Sequence, residues 1–358
     1  MRGWIHDFDW LLLGCVTVLA SMGLVTLASI NTIFFFRQVL WFVLAFFVII
    51  GCSRIRWQWL FTQSWFRYGF YWVSVGLLLV PYALGHTIRG TKSWIILGPL
   101  QFEPSELAKV ALIVVLAGFF SRRYVAAWQS KNIALSFVYM LIPAGLIAMQ
   151  PDIGSALVLG GIWLGFLLMN GIHKRRFLIG LALAVVLLFV LWMGALRPYQ
   201  KDRITGFIFP DIDPLGVNYN LIQSKIAIGS AGFFGKGFGG GTQTQLGFLP
   251  EAHTDFLFAS FIEEWGLLGG TVLVLTYVVL LFRIATTGLR LHRNDEKFVV
   301  LGIGLFFLIH FFVNIGSNIG IVPIIGIGLP FVSYGGSNLL TAALLIGIIE
   351  RIKLVSQT

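Results

Sequence analysis

The chain has 358 residues, of which 58% are hydrophobic and only 11% charged, with a net charge of +10. A soluble domain carries roughly 25% charged residues, so the composition excludes an ordinary water-soluble globule and points to the bilayer. The two cysteines, Cys15 and Cys52, fall in or beside apolar segments, which argues against a disulfide framework or a thiolate metal site.

Uninterrupted apolar windows predict an all-α, polytopic membrane protein with spans near 10–30, 36–52, 67–85, 104–120, 133–149, 153–170, 177–196, 256–282, 298–319 and 331–350. The first run, Trp10 to Ile30, is long enough to span and lacks a small-residue cleavage site, so it reads as a retained helix. Segment 85–103 is short, Gly-rich and apolar, and is expected to fold back into the interface. Segment 197–255, before the eighth span, is the largest break. Within it Leu221, Ile222, Ile226 and Ala227 fall at helical spacing over 217–231 and predict a helix lying on or capping the bundle. No repeat or separate soluble unit stands out, so residues 1–358 are read as one membrane domain.

Charge sets the orientation. Arg54, Arg56 and Arg67, then Arg122, Arg123 and Lys131, then Lys174, Arg175 and Arg176, then Arg283, Arg290, Arg293 and Lys297 occupy alternate connections, which predicts that these connections and both termini are cytoplasmic. The positive charge is therefore a topology signal, and it gives no ground for a nucleic-acid partner. Most acids fall on the opposite side, including Glu103, Glu106, Asp152, Asp202, Glu251, Asp255, Glu263 and Glu264. That side is the expected working face.

Ionisable groups within or bordering spans are costly, so each is a functional candidate. In Glu103-Pro-Ser-Glu-Leu-Ala-Lys109, Glu106 and Lys109 are three apart on one helical face and can pair. The pair suits either a structural or a catalytic role. Asp152, in Gln150-Pro-Asp-Ile-Gly154, is placed to cap the sixth span, or to join a site if it faces the same cavity as Glu106. The richest stretch, Gly239 to Phe256, opens on three glycines that free the backbone and puts Glu251, His253, Thr254 and Asp255 directly before the eighth span. Asp255 could be the helix cap, but the cluster favours a site. Gly232-Phe-Phe-Gly-Lys-Gly237 superficially resembles a phosphate loop, yet Lys236 is followed by Gly237 and not by Ser or Thr, so no nucleotide is expected. Gly316 to Ser337 is too rich in Gly and Pro for an ordinary span. It is either a plain loop or irregular backbone lining a cavity, with Ser333, Tyr334 and Ser337 as donors.

Four runs together resemble the SEDS family (shape, elongation, division and sporulation): Pro104-Ser-Glu-Leu-Ala-Lys109, Gln150-Pro-Asp-Ile-Gly154, Gln245 to Phe256, and Leu329-Pro-Phe-Val-Ser-Tyr-Gly-Gly-Ser337. The resemblance covers essentially the whole chain. Gln223 to Ser230 and Gly235-Lys-Gly237 are more similar to its elongation branch, RodA, than to its division branch, FtsW. Ile325, Trp265 and the Arg89-Gly-Thr-Lys-Ser-Trp94 loop depart from the usual pattern.

The resemblance implies a peptidoglycan glycosyltransferase of the bacterial cytoplasmic membrane that polymerises lipid II, with a class B penicillin-binding protein as partner. It implies Asp255 as the essential acid, Glu106 and Lys109 as the membrane-embedded pair, and Asp152 as a further cavity acid. Asp255 would take the proton from the acceptor sugar hydroxyl. Arg89, Lys92, Arg203, Lys225 and Lys236 are candidate cations for the pyrophosphate leaving group, to which a divalent metal (Mg or Mn, with ligands unassigned) could add. A lipid II flippase is the rival reading, since broken helices with polar linings also suit transport. A pure scaffold is the weaker rival, because scaffolding does not need these acids.

Overall fold

The structure, a computed structural model, describes residues 8–84, 93–97, 100–123, 129–171, 198–209, 216 and 218–356. The seventh expected span, 177–196, lies outside the described residues.

Helix α1 (Trp10–Ile30) starts at Asp9, whose carboxylate accepts from the Leu12 amide at 3.3 Å. Asn31 ends α1 with its own amide on the Leu27 carbonyl and opens α2 (Thr32–Arg54) by accepting from the Ile33 amide at 2.8 Å. One asparagine thus satisfies orphan groups of two helices and makes a tight hairpin. A short α3 (Trp57–Thr62) leads into α4 (Ser64–Leu84). Segment 85–103 is not wholly irregular: β1 (Ile95–Leu97) and β2 (Leu100–Phe102) pair antiparallel, with Ile95 opposite Phe102. The alternation there is too short to have stood out in the sequence.

Helix α5 (Pro104–Arg122) carries proline at its first turn, where no amide bond is lost, and is the central, most buried helix. It packs on α4, α6 (Ser130–Met149) and α7 (Ile153–Met169). Helix α8 (Pro198–Ile208) is followed by α9 (Tyr219–Ser230), which matches the expected amphipathic segment, and by the single turn α10 (Thr242–Gln245). Then come α11 (Leu257–Arg290), α12 (Asn294–Ile319) and α13 (Gly336–Ser356). Helix α13 packs on α2, α1 on α11, and α12 on α5, α7 and α11. Among the described residues, six helices are long and apolar enough to cross a membrane. Side chains such as Phe36, Phe47, Trp72, Val73 and Phe282 are exposed on their outer faces, as expected of a lipid-facing surface. The architecture is all-α and polytopic.

Expected and observed spans agree to a few residues, except in four places. Helix α2 starts at Thr32, four residues early, because Asn31 caps it. Helix α12 starts four residues early, because Asp295 and Glu296 favour its first turn. Helix α13 begins at Gly336, because Leu329 to Ser333 forms a turn closed by the Leu329 amide on Ser333 Oγ at 2.9 Å, with Phe331 at φ 67°. Helix α11 runs to Arg290 but is broken at Gly266, where φ is 72° and ψ −175°.

That break is a marked irregularity of the bundle, and four of the backbone groups beside it are answered by the glycine-rich segment. The Glu263 and Glu264 carbonyls accept from the amides of Lys236 and Gly237, and the amides of Leu267 and Leu268 donate to Gly232 and Phe233. The glycine-rich segment thus acts as a splint along a broken helix, the arrangement that lipid surroundings demand. A Cβ on Gly266 would lie 2.3 Å from the Gly235 nitrogen and the Phe233 oxygen. Gly266→Ala is therefore expected to cost about 3 kcal/mol and to lower the thermal midpoint of the detergent-solubilised protein. Gly229→Ala, with nothing within 4 Å of the added Cβ, should leave it unchanged or slightly raised.

Candidate functional site

One end of the bundle is formed by the N-termini of α5, α7, α11 and α13 and the C-terminus of α12. The polar residues singled out in the sequence gather there, in two groups on either side of an extended strap, residues 323–329.

The first group belongs to α5 and α7. Lys109 donates to Glu106 at 2.8 Å, and both are almost wholly buried. The other Glu106 oxygen has no partner among the described residues. Asp152 does cap α7, accepting from the Ser155 amide at 3.1 Å, while its second oxygen is buried without a partner among the described residues. Ser105 Oγ donates to Glu103 at 2.6 Å and lies 3.3 Å from Ser155 Oγ, which links the two helix starts. Glu103, just before α5, has its carboxyl pushed up to about 8, chiefly by burial and then by the charges of Asp152 and Glu106. The cap and the site readings of Asp152 are therefore compatible: one oxygen caps, and its charge is felt by Glu103.

The second group belongs to the loop before α11. His253 stacks on Phe34 of α2 at 4.3 Å between ring centroids and lies 5.9 Å from the Tyr334 ring. The Tyr334 amide donates to the His253 carbonyl at 3.0 Å. Thr254 Oγ1 donates to Glu251 Oε2 at 3.0 Å, and Glu251 holds a left-handed φ of 52°. Ser333 is a structural turn residue, and its carbonyl accepts from Gln38 Nε2 at 3.3 Å.

Asp255 is not the cap of α11. The cap position is Phe256, and no side chain caps it. The half-buried Asp255 is instead held by its main chain: its carbonyl accepts from Asn314 Nδ2 and from Asn318 Nδ2, each at 3.0 Å. Asn314 Nδ2 also donates to the Ile327 carbonyl at 2.8 Å, and His310 Nδ1 donates to that of Gly328 at 3.1 Å. A carbonyl can only accept, so Nδ1 carries the proton.

The strap connects the groups. A Cβ on Gly326 would lie 3.6 Å from Asp255 Oδ2, and one on Gly154 would lie 2.4 Å from the Ile325 carbonyl. Asp255 thus borders one side of 323–329, and the Asp152 helix start borders the other. His310, Asn314 and Asn318 were not singled out in the sequence, although their spacing of four inside an apolar span (one polar stripe on α12) was a usable signal.

Other expected contacts fall elsewhere. Lys236 donates to Glu263 Oε1 at 2.8 Å, so its charge is committed to the splint. Glu263 also accepts from the Gln243 and Thr244 amides and the Thr244 hydroxyl, which makes it a loop anchor. Lys225 is exposed on α9 beside Gly320. Arg89 and Lys92 lie outside the described residues. Arg203 falls on α8, and its side chain is likewise outside the description. Among the described residues no group of three His, Cys, Asp or Glu side chains is placed to hold a metal ion, so no step is assigned to one.

The Glu106–Lys109 pair permits a decisive stability test. Lys109→Met should cost about 3–5 kcal/mol, because it strands a buried carboxylate. Lys109→Met combined with Glu106→Gln should recover most of the thermal midpoint. A double variant that recovers stability but not activity assigns the pair a role beyond packing.

The FtsW/RodA/SpoVE cell cycle protein family matches residues 4–358. The peptidoglycan glycosyltransferase MrdB of Escherichia coli K12 is 39% identical over 292 residues, covering 81% of this chain and 78% of MrdB. The probable peptidoglycan glycosyltransferase FtsW of Haemophilus influenzae is 35% identical over 368 residues, covering 98% and 91%. A chain of a solved peptidoglycan synthase complex, described as coordinating polymerization and crosslinking, superposes with a TM-score of 0.84 at 32% identity over 97% of both chains. The rod shape determining protein RodA of Thermus thermophilus superposes with a TM-score of 0.73 at 27% identity, covering 98% of each chain. The chain belongs to the FtsW/RodA/SpoVE family.

Proposed function

We propose that this protein is a peptidoglycan glycosyltransferase that polymerises lipid II during cell elongation, at the outer face of the bacterial cytoplasmic membrane, with both termini inside. The carrying observation is Asp255, gripped by two asparagines and set against an extended strap at the end of the bundle where the acidic residues gather. Family membership supplies the reaction class, and the basic connections at the opposite end supply the orientation.

The acceptor is a sugar hydroxyl, far too weakly acidic to ionise at neutral pH, so it needs a base within about 3 Å in the reactive complex. Asp255 is that base. The hydroxyl oxygen attacks the anomeric carbon of the donor, its proton passes to the Asp255 carboxylate, and the bond to undecaprenyl pyrophosphate breaks. Attack in line with the leaving group inverts the anomeric carbon without a covalent enzyme intermediate. Of the candidate cations, Arg89, Lys92, Arg203 and Lys225 are left for the departing pyrophosphate, since Lys236 is neutralised by Glu263. His253, Thr254, Glu251 and Tyr334 shape the approach to the base, and the stack of His253 on Phe34 fixes that wall. The solved synthase complex supports a class B penicillin-binding protein as the cross-linking partner.

Purified protein in detergent, given lipid II alone, should make glycan strands. Detergent offers no leaflet to cross, so a flippase would make none. Asp255→Ala and Asp255→Asn should each lower the polymerisation rate about 10²–10⁴-fold at an unchanged thermal midpoint. Near-normal polymer from folded Asp255→Ala would remove the aspartate from this role.

A further inference from the structure

At the opposite end of the bundle lies a cavity of about 260 Å³ lined by Thr62, Arg67, Ser121, Arg122, Asn294 and Asp295. It is far along α5, α11 and α12 from Asp255 and takes no part in the reaction described above. Two features make it unusual for a membrane-protein surface.

First, both guanidiniums are positioned but not neutralised. Arg67 is 4% exposed, its stem fills the notch left by Gly118, and Nη1 donates to the Phe61 carbonyl at 3.0 Å. Arg122 Nη2 donates to the Thr62 carbonyl at 3.1 Å. Each therefore spends one N–H on the last carbonyls of α3, which is a favourable C-terminal cap. A guanidinium carries five such donors, so most of each fork remains for another acceptor. Neither arginine forms an ion pair among the described residues. Asp295, the cavity's one carboxylate, is already engaged by Arg293 at 2.8 Å. The two arginines outnumber the one carboxylate, so the lining keeps a net positive charge.

Second, the remaining lining is made for an oxyanion. Asn294 opens α12, whose first-turn amides and dipole favour negative charge, while the Thr62 and Ser121 hydroxyls donate to the Trp59 and Gly118 carbonyls and leave the guanidiniums as the main side-chain donors. Small-molecule and cofactor pockets run to roughly 300–1,000 Å³, so this cavity suits a headgroup better than a nucleotide.

We propose that this cavity is a phosphate-binding site that takes the headgroup of an anionic phospholipid from the adjacent leaflet. The basic connections place that end in the cytoplasm, where anionic lipids meet juxtamembrane arginines. Free phosphate shares the recognition chemistry and is the other source to be distinguished.

The test uses the full chain in detergent, titrated with phosphatidylglycerol or phosphatidylcholine and read by native mass spectrometry for retained lipid. The variants are Arg122→Gln and Asn294→Asp, which removes no cap and suits a helix start. Arg290→Gln, an exposed arginine outside the cavity, is the control. Each cavity variant should weaken phosphatidylglycerol retention about five-fold, with phosphatidylcholine and the control unchanged. Inorganic phosphate forms the second arm. If it competes, and its own binding falls in both variants, the phosphate site stands and its source is soluble; if it does not compete, the source is lipid. Folded Arg122→Gln and Asn294→Asp that retain phosphatidylglycerol as wild type does, with no phosphate competition, overturn the proposal.

Discussion

The site depends on the amide groups of Asn314 and Asn318. The loop that bears Asp255 and the strap at 323–329 are both irregular backbone near membrane depth, where an unsatisfied carbonyl costs several kcal/mol. One turn apart on α12, the two asparagines donate to the Asp255 carbonyl, and Asn314 also donates to Ile327. They satisfy backbone groups that water cannot reach, and in doing so fix where the Asp255 side chain starts. The base is thus positioned through its main chain and not through a helix-capping bond of its carboxylate.

The same logic explains the other polar residues buried in the bundle. Glu106 with Lys109, Glu263 with Lys236, and Asp9 with Arg283 at 2.7 Å and Lys353 at 3.0 Å are paired. Such pairs stabilise little on balance, since desolvation offsets attraction, but losing one partner is costly. They act as register marks. The Asp9 cluster joins the start of α1 to the ends of α11 and α13, and the Glu263 cluster joins the glycine-rich loop to a broken helix. Between these fixed ends the core is mostly apolar, with the α12 stripe of His310, Asn314 and Asn318 as a buried polar exception.

Much of this was legible in the residues. Uninterrupted apolar runs located the helices, and Pro104 marked the first turn of α5. The three-residue spacing of Glu106 and Lys109 gave their contact. What remained hidden depended on contacts distant in sequence. Nothing local says that Gly266 breaks α11, because the break exists only where residues 232–237 lie beside it. Asp255 resembled a cap by position, and only its distance from Asn314, 59 residues on, shows otherwise. Lys236 looked available to a pyrophosphate because its partner lies 27 residues away.

The central claim is that the α12 asparagines aim Asp255. It is tested most directly by the steady-state kinetics of Asn314→Ala/Asn318→Ala on lipid II, alone and combined with Asp255→Ala. Misplacing a catalytic group by about 1 Å can cost roughly 10²-fold, so the asparagine variant should lose kcat on that scale while KM stays near wild type. Adding it to Asp255→Ala should cost nothing more, because residues acting as one unit are not additive. A folded asparagine variant with wild-type kcat, or a further loss on top of Asp255→Ala, would contradict the account.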